Sequence, residues 1–442
     1  MNEEKQRVLV RAIGRWSLAA LLVNSIIGSG IFGLPSIVAG LVGRASPLAY
    51  LIAAAGMGVI MACFAEVASQ FREAGGPYLY ARVAFGQFLG IQTGWVSWLV
   101  RITATAAGAN LFVTYLAQFW PQAKESMPRA LVLTVLIGVV AVINYRGVSA
   151  GARLSNVFTV AKLVSLFAFI IAGLIFALAR NPAAATSVHP SASTGEWLQA
   201  VLVLMFAYGG FEAGLMPMGE VQNPERDAPF ALFAALATVT VIYTAIQIVV
   251  IQVLPNAAAS DRPLAAAARE FLGQPGAALI SAGALVSLYG YLSAMTLNAP
   301  RLTFALAERG DFPPMLGAIH PRFRTPHASI LVFALLVWAL AMAGTFRWNV
   351  ILSAVARLFA YGLVCAALPV LRRRHPHAGG FRLPAGVPFA AVGMVFSAVL
   401  VTRMARGELW AMSVTFAIAF VNWLWVRRAG PRQTPKSRSI GC

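Results

Sequence analysis

The stretch that decides the fold is Asn24-Ser25-Ile26-Ile27-Gly28-Ser29-Gly30-Ile31-Phe32-Gly33, in the middle of the first apolar run of the chain. Its three glycines weaken a helix at this point. Lipid offers no hydrogen bonds to replace those of the backbone, so an unwound segment here must face protein, a water-filled cavity or a ligand. The stretch therefore predicts a membrane-spanning helix that is broken where another molecule can bind.

A second interruption of the same kind lies five apolar runs later, at Phe206-Ala207-Tyr208-Gly209-Gly210-Phe211-Glu212. Two glycine-interrupted segments at corresponding places of two halves are typical of transporters with an inverted repeat, which hold their substrate at the midplane between the halves. The alternative is that the glycines serve close packing between helices. The matched placement favours the transporter.

The composition indicates a membrane environment for most of the chain. Of 442 residues, 59% are hydrophobic and 11% are charged, whereas about a quarter are charged in ordinary soluble domains. About twelve apolar runs are long enough to span a bilayer. Their approximate ranges are 16–41, 47–67, 88–116, 129–144, 156–178, 198–219, 229–254, 276–306, 328–345, 348–370, 387–404 and 409–426. We therefore expect an all-α membrane protein of about twelve transmembrane helices, without an added soluble domain.

The positions of the two breaks divide this array into segments. We predict a first inverted repeat of five helices over 16–178 and a second over 198–370, with discontinuous helices 1 and 6. Two further helices follow over 387–426, between an N-terminal tail (1–15) and a C-terminal tail (427–442). The first run leads directly into further spans, so it does not read as a cleaved signal peptide. The two longest loops predicted on the outer side, 179–197 and 255–275, are rich in Ala, Pro and Ser, and we assign them no function.

The net charge of +19 follows the predicted topology. With the N-terminus in the cytoplasm, 22 of the 34 Lys and Arg residues fall on the inner side and 9 on the outer side. This asymmetry obeys the positive-inside rule and predicts a multi-pass protein of the plasma (bacterial inner) membrane with both termini cytoplasmic. Basic residues are not clustered with stacking aromatics on a soluble segment, which argues against a nucleic-acid partner.

The broken helices offer complementary groups to a zwitterion. The N–H groups at 29–31 lie at the positive end of a half-helix and suit a carboxylate, to which the Ser29 hydroxyl can add a donor. The C=O groups around Phe206, Ala207 and Gly209 end a half-helix and suit an ammonium group. Phe206 and Tyr208 could cover a bound ligand. The pattern favours a small amino-acid-like substrate.

Lys162 is the most informative charged residue in an apolar run, since such residues are costly in a membrane and usually serve a function. A buried lysine can lose its proton near neutral pH, which an arginine cannot do, so Lys162 could couple transport to proton movement. Lys162 could alternatively extend to the cytoplasmic surface. The other three lysines lie in predicted tails or loops: Lys5, Lys124 and Lys436.

Glu212 directly follows the Gly209-Gly210 break, and two roles are open for it. It could relay a proton, or it could hold the break together by accepting hydrogen bonds from freed backbone groups. For Glu66, Arg101 and Arg357 the spacing does not decide a role. Glu66 and Arg101 could pair with each other or lie near a wet vestibule, and Arg357 could face a funnel.

Other function classes lack their characteristic residues. The five histidines all fall in predicted loops, and there is no HExxH or Cys/His spacing for a metal, so we predict no enzyme activity, no metal and no cofactor. A channel would need a polar pore rather than broken glycine helices. A sensor that binds its ligand without transporting it could keep the same site and stays open.

Several ordered motifs resemble those of the amino acid–polyamine–organocation superfamily of permeases, over essentially the whole chain. They are Gly28-Ser29-Gly30-Ile31-Phe32-Gly33, Glu73-Ala74-Gly75-Gly76-Pro77-Tyr78, Asn144-Tyr145-Arg146-Gly147 leading to Lys162, Phe206 through Glu212, Gly219-Glu220, Asn223-Pro224, Pro300-Arg301 and Glu308-Arg309-Gly310. The resemblance implies a fold of five plus five helices with two more after them, working by alternating access. It also implies that a lysine in helix 5, here Lys162, fills the space of a sodium ion in related transporters.

The resemblance further implies a set of site residues. In helix 1, Ser29 and Gly30 would bind the carboxylate, and Ile26, Gly28 and Ile31 belong to the same broken segment. Carbonyls near Phe206, Ala207 and Gly209 would bind the amine, with Tyr208 beside them and Phe206 as a gate. Helix 3 would line the side-chain pocket with Ala104, Thr105 and Gly108, and Tyr291 in helix 8 would close it as a second gate.

The function expected from these residues is secondary active transport of an amino acid, coupled to protons as symport. Because helix 3 contributes small or neutral groups and no carboxylate beyond Glu212 is evident, a neutral amino acid is the first expectation. Glu212 keeps cationic amino acids and polyamines open as substrates. Exchange instead of symport, the non-transporting sensor and a homo-oligomeric state are also open.

Overall fold

The structure is a computed structural model that describes residues 12–71, 75–147, 151–179, 192–215, 218–374 and 380–429, with only the backbone described at 151–161, 219 and 429. Most of the two predicted tails lies outside these ranges, as do Glu73 and Ala74 of the second motif. Fifteen α-helices occur in the described ranges. They are α1 (Arg15–Ile26), α2 (Gly30–Val42), α3 (Ser46–Ser69), α4 (Gly76–Phe85), α5 (Gln87–Leu116), α6 (Ser126–Arg146), α7 (Gly151–Ala179), α8 (Thr194–Tyr208), α9 (Phe211–Gly214), α10 (Pro224–Val253), α11 (Pro263–Glu308), α12 (His327–Ala343), α13 (Phe346–Arg374), α14 (Gly386–Val401) and α15 (Arg406–Ala429).

Nine segments in the described part of the chain are long and apolar enough to cross a membrane. One of them, Gly30–Ser69, contains both α2 and α3 around a short turn at 43–45. Two shorter apolar helices, α12 and α14, add to this number. The all-α membrane fold is thereby confirmed, whereas the count of twelve spans, the inverted repeat and the side on which the termini lie remain predictions.

Both predicted interruptions are present as breaks between helices. The first helix stops at Ile26 and resumes at Gly30, and α8 stops at Tyr208 before α9 begins at Phe211. At the second break Gly210 has φ of 107°, in the left-handed region that only glycine adopts without strain. The glycine pattern therefore identified both positions at which the backbone unwinds.

Two helices occur where the sequence predicted loops. The predicted outer loop 255–275 is helical from Pro263, because α11 begins there and continues past an irregular Gly273. Residues 264–272 are mostly strong helix formers, but they include Arg269 and Glu270, so they do not register as an apolar run. The short helix α4 lies between the predicted spans 47–67 and 88–116, and its ten residues are too few to register as a spanning run.

Polar contacts join several helices on the face where α1 begins and α3 and α13 end, which is called the terminal face below. The backbone of Ile13 bonds to that of Gln222 at 3.0 Å. The buried Glu66 carboxylate accepts two hydrogen bonds of 2.6 Å from Arg372 and one of 2.8 Å from the Leu383 backbone. These contacts join α3, α13 and the segment before α14.

A second polar cluster on the terminal face centres on the buried Asp311. Its carboxylate accepts hydrogen bonds from the Tyr78 hydroxyl, from Arg82 at 2.6 Å and from Gln87 at 2.9 Å. Burial, followed by the charge of Asp311, raises the pKa of Tyr78, so the phenol keeps the proton that it donates. The Asn422 side chain donates to the Asp311 carbonyl at 2.7 Å and attaches α15 to the cluster.

The opposite face carries a cavity of about 700 Å³, called the outer cavity below. It lies between α2, α5 and the connection from α12 to α13, and its lining includes Gly33, Gly40, Asn110 and Gly344. At its inner end the Phe346 ring rests on Gly33, where an added Cβ would lie 2.5 Å from the ring. The described residues thus line an open cavity on this face and make polar contacts between helices on the terminal face.

Candidate substrate site at the two helix breaks

The two broken segments lie against each other. A Cβ added to Gly30 would be 3.2 Å from the Ala207 Cα, and one added to Gly210 would be 2.5 Å from the Ser25 carbonyl oxygen. The distance at Gly210 leaves no room for a side chain, and at Gly30 the Ala207 backbone would have to move by a few tenths of an ångström. The glycines therefore permit the contact as well as the unwinding.

Ser29 stands at the start of α2 with a buried hydroxyl. The residue is 1% exposed, and its Oγ has no hydrogen-bond partner in the part of the chain that the structure describes. The first N–H groups of a helix also lack partners within the helix. Hydroxyl and N–H donors are thus collected at 29–31, where the sequence predicted a carboxylate.

Tyr243 on α10 connects the two breaks and was missed by the sequence analysis. Its hydroxyl lies 3.2 Å from the Ile26 carbonyl oxygen and 3.2 Å from that of Ala207. A hydroxyl has one hydrogen to donate, so it cannot fully satisfy both carbonyls at once. A tyrosine inside an apolar run gives no local signal of this role.

Tyr291 fills the space between the first break and α5. A Cβ added to Gly28 would lie 3.3 Å from its ring, and one added to Gly108 would lie 3.1 Å from it. Ala104 and Thr105 are buried on the same helix, and the Thr105 hydroxyl donates to the Arg101 carbonyl at 2.6 Å. The structure brings these residues together, and their part in binding remains a prediction.

Lys162 lies against the first break rather than at the membrane surface. Its Nζ donates to the Ile27 carbonyl at 2.7 Å and to Asn24 Oδ1 at 2.9 Å, and the residue is 7% exposed. The ammonium group therefore satisfies a carbonyl that the end of α1 leaves free. The surface-reaching alternative does not describe this conformation.

Glu212 makes hydrogen bonds at the second break, which is one of the two roles that the sequence left open for it. One carboxylate oxygen, Oε2, accepts from the Gly210 N–H at 2.9 Å and from the Tyr361 hydroxyl at 2.8 Å. The other, Oε1, lies 3.8 Å from Arg357 Nη1. The side chain caps the short helix α9 and links it to α13.

Arg357 extends from α13 into the second break. Its guanidinium lies 5.7 Å from the centre of the Phe206 ring and occupies the space that a Cβ at Gly209 would need. Arg101 on α5 interacts electrostatically with Glu212 and Arg357. The two arginines thus converge on one carboxylate from different helices.

Two further residues have neighbours other than those expected. The Tyr208 hydroxyl donates to the Tyr50 carbonyl at 3.1 Å, so that side chain packs towards α3. The Glu66 carboxylate is bound by Arg372 on the terminal face, which excludes Arg101 as its partner here. Ile26, Ile31, Phe206 and Ala207 are buried at the breaks. Among the described residues, no group of three or more His, Cys, Asp or Glu side chains could hold a metal ion.

Comparison with known proteins agrees with this architecture. The family profile described as amino acid permease matches residues 13–424. A methylthioribose transporter of Bacillus subtilis is 29% identical over 441 residues, covering 96% of this chain and 91% of the relative.

Other relatives are transporters as well. The serine/threonine exchanger SteT of Bacillus subtilis is 30% identical over 341 residues, covering 73% of this chain and 74% of the relative. An uncharacterized transporter of Mycobacterium tuberculosis is 30% identical over 426 residues, or 90% of this chain and 93% of the relative. The chain belongs to the amino acid permease family of multi-pass membrane transporters.

Proposed function

We propose that this protein is a secondary active transporter that carries an amino acid across the plasma membrane by alternating access. The observation that carries the proposal is the contact between the two breaks, which presents unpartnered donors at Ser29 beside the carbonyl of Ala207. The outer cavity and the polar contacts between helices on the terminal face support alternating access, since a carrier is open to one side at a time.

Recognition of the substrate follows from the polarity of the half-helices. The carboxylate binds the N–H groups at 29–31 and the Ser29 hydroxyl. The ammonium group of the substrate binds the Ala207 carbonyl, which accepts a hydrogen bond from the Tyr243 hydroxyl when the site is empty. Tyr291 and Phe206 move to admit the substrate and then cover it.

Coupling is assigned to a proton on Lys162. The charged ammonium donates to Ile27 and Asn24, and a neutral amine would hold the first break less strongly because charged hydrogen bonds are stronger. Loss of the proton would therefore loosen the segment that binds the carboxylate. Exchange stays the second candidate, because the relative SteT is named an exchanger.

Two observations bear on the charge of the substrate's side chain. The small groups of α5 and the serine/threonine specificity in the name of SteT favour a neutral amino acid. The expectation of a neutral amino acid does not take account of Arg101 and Arg357, which lie beside the same pocket.

Uptake of a labelled amino-acid mixture into proteoliposomes tests the proposal, with and without an inward proton gradient. Accumulation that needs the gradient supports proton symport and identifies the substrate. Accumulation only into preloaded vesicles makes the protein an exchanger. Binding without any flux would contradict transport and favour a sensor.

A further inference from the structure

Arg357 is a buried cation with unused hydrogen-bonding capacity. The residue is 5% exposed, and its Nε and Nη1 have no hydrogen-bond partner among the described residues. The ion pair with Glu212 measures 3.8 Å, which is too long for a direct hydrogen bond. Burial of an incompletely bonded guanidinium is costly, so the site is suited to accept an anion.

The charges around Arg357 do not balance. A cavity of about 20 Å³, with room for about one water-sized group, adjoins Arg101, Glu212 and Arg357. Among the described residues that line it, these two arginines face the single carboxylate of Glu212. That carboxylate already accepts from the Gly210 N–H and from Tyr361. One additional monovalent anion would neutralise the cluster.

The cluster lies at the proposed side-chain pocket. Arg357 lies over the ring of Phe206, the proposed gate. Arg101 is one helical turn from Ala104 and Thr105 on α5, on the same helix face. Both arginines also interact electrostatically with the Tyr291 hydroxyl. An anionic group on a substrate side chain that entered this pocket would meet both arginines.

The outer cavity carries the same sign of charge. Of the described residues that line it, Lys124, Arg129 and Arg347 are cationic and Asp261 is acidic. Asp261 is paired with Lys124 at 2.6 Å, whereas Arg129 donates to amide and carbonyl oxygens, among them Asn110 Oδ1 at 2.9 Å. A cleft lined by excess positive charge attracts anionic ligands.

We propose that Arg357, supported by Arg101, binds an anionic group on the side chain of the substrate, so that the carried molecule is an amino acid with an acidic side chain. The inference rests on the proposed function and specifies its substrate class. It replaces the expectation of a neutral side chain, which considered the small groups of α5 without these two arginines.

The test compares ligands that differ in charge but hardly in shape. Binding of L-glutamate and L-aspartate to the purified, full-length protein is measured against L-glutamine and L-asparagine by competition with a labelled substrate from the uptake screen. The wild type is expected to bind each acid at least about tenfold more tightly than its amide, the factor that one charged hydrogen bond commonly contributes. Arg357→Gln should bring this ratio close to one by weakening the acid, and Arg357→Lys should restore part of it.

Arg226→Gln is the matched control, because Arg226 is exposed at the start of α10 and should leave the ratio unchanged. Equal binding of acid and amide by the wild type, or an unchanged ratio in Arg357→Gln, would overturn the inference. The inference would also be overturned if the wild type bound only the amides and required chloride in the buffer, with no binding in gluconate. That result would assign the site to an inorganic anion. If Arg357→Gln does not fold, the wild-type ratio decides. Failure of all amino acids to bind would instead refute the proposed function.

Discussion

Replacing Gly210 by alanine tests whether the contact between the two helix breaks is needed for binding. The residue has φ of 107°, and the new Cβ would lie 2.5 Å from the Ser25 carbonyl oxygen. The backbone conformation costs a non-glycine residue about 1–2 kcal/mol, and overpacking typically adds about 1–3 kcal/mol. We expect a combined loss of about 2–5 kcal/mol, divided between stability and substrate binding according to how far the breaks move apart.

Gly86→Ala separates these two contributions. Gly86 has φ of 89° and ψ of −179°, a conformation that is essentially restricted to glycine, but an added Cβ would meet none of the described residues within 4 Å, so this variant introduces backbone strain without the contact. Both variants are compared with the wild type by thermal unfolding in detergent and by substrate affinity. Gly210→Ala should lose at least about tenfold in affinity, since about 1.4 kcal/mol corresponds to a factor of ten, while Gly86→Ala binds normally. Equal melting temperatures and normal binding in both variants would refute the role of the contact.

Four further substitutions test individual roles in the site. Ser29→Leu should abolish binding, because its bulk fills the buried carboxylate position, and retained affinity in a ligand competition assay would contradict that position. Lys162→Ala should give a folded protein whose uptake no longer responds to a pH gradient; unchanged pH dependence would exclude Lys162 as the coupling group. Phe206→Ala should lower proteoliposome transport more than equilibrium binding, and unchanged transport would argue against a gate. Tyr243→Phe removes the single hydroxyl hydrogen that the Ile26 and Ala207 carbonyls share, at a cost of about 1–3 kcal/mol, so thermal unfolding should show a less stable empty protein and a larger stabilisation by substrate; an unchanged melting temperature would contradict this.

The membrane fold and the helix breaks could be predicted from the sequence because their causes are local. Apolar runs and glycine pairs act on the segment in which they occur, and both breaks are present where the pattern placed them. The predicted start of this helix, at residue 276, was wrong because the first turns of α11 are helical without being apolar. Helix formation and membrane hydropathy are separate properties, and hydropathy alone does not mark the start of a helix in that segment.

The polar contacts of the site could be predicted only in part, because they join residues that are distant in sequence. Lys162 stood out as a lysine in an apolar run, yet its bond to Ile27 depends on how α7 packs against α1. The convergence of Arg101 and Arg357 requires α5 and α13 to be neighbours, which no spacing within either helix reveals. Tyr243 had no signal at all, since a tyrosine in a spanning helix is ordinary.

The Tyr243 hydroxyl, which the Ile26 and Ala207 carbonyls share, also affects the turnover rate of the transporter. In the proposed binding mode, the ammonium group of the substrate takes over a carbonyl oxygen that the protein already serves with its own donor. Binding then exchanges one hydrogen bond for another, so the net gain is smaller than that of a charged donor meeting a free acceptor. Differences in affinity appear mainly in the dissociation rate. The tyrosine therefore shortens the residence time of the substrate, and this favours release on the far side of the membrane in every cycle.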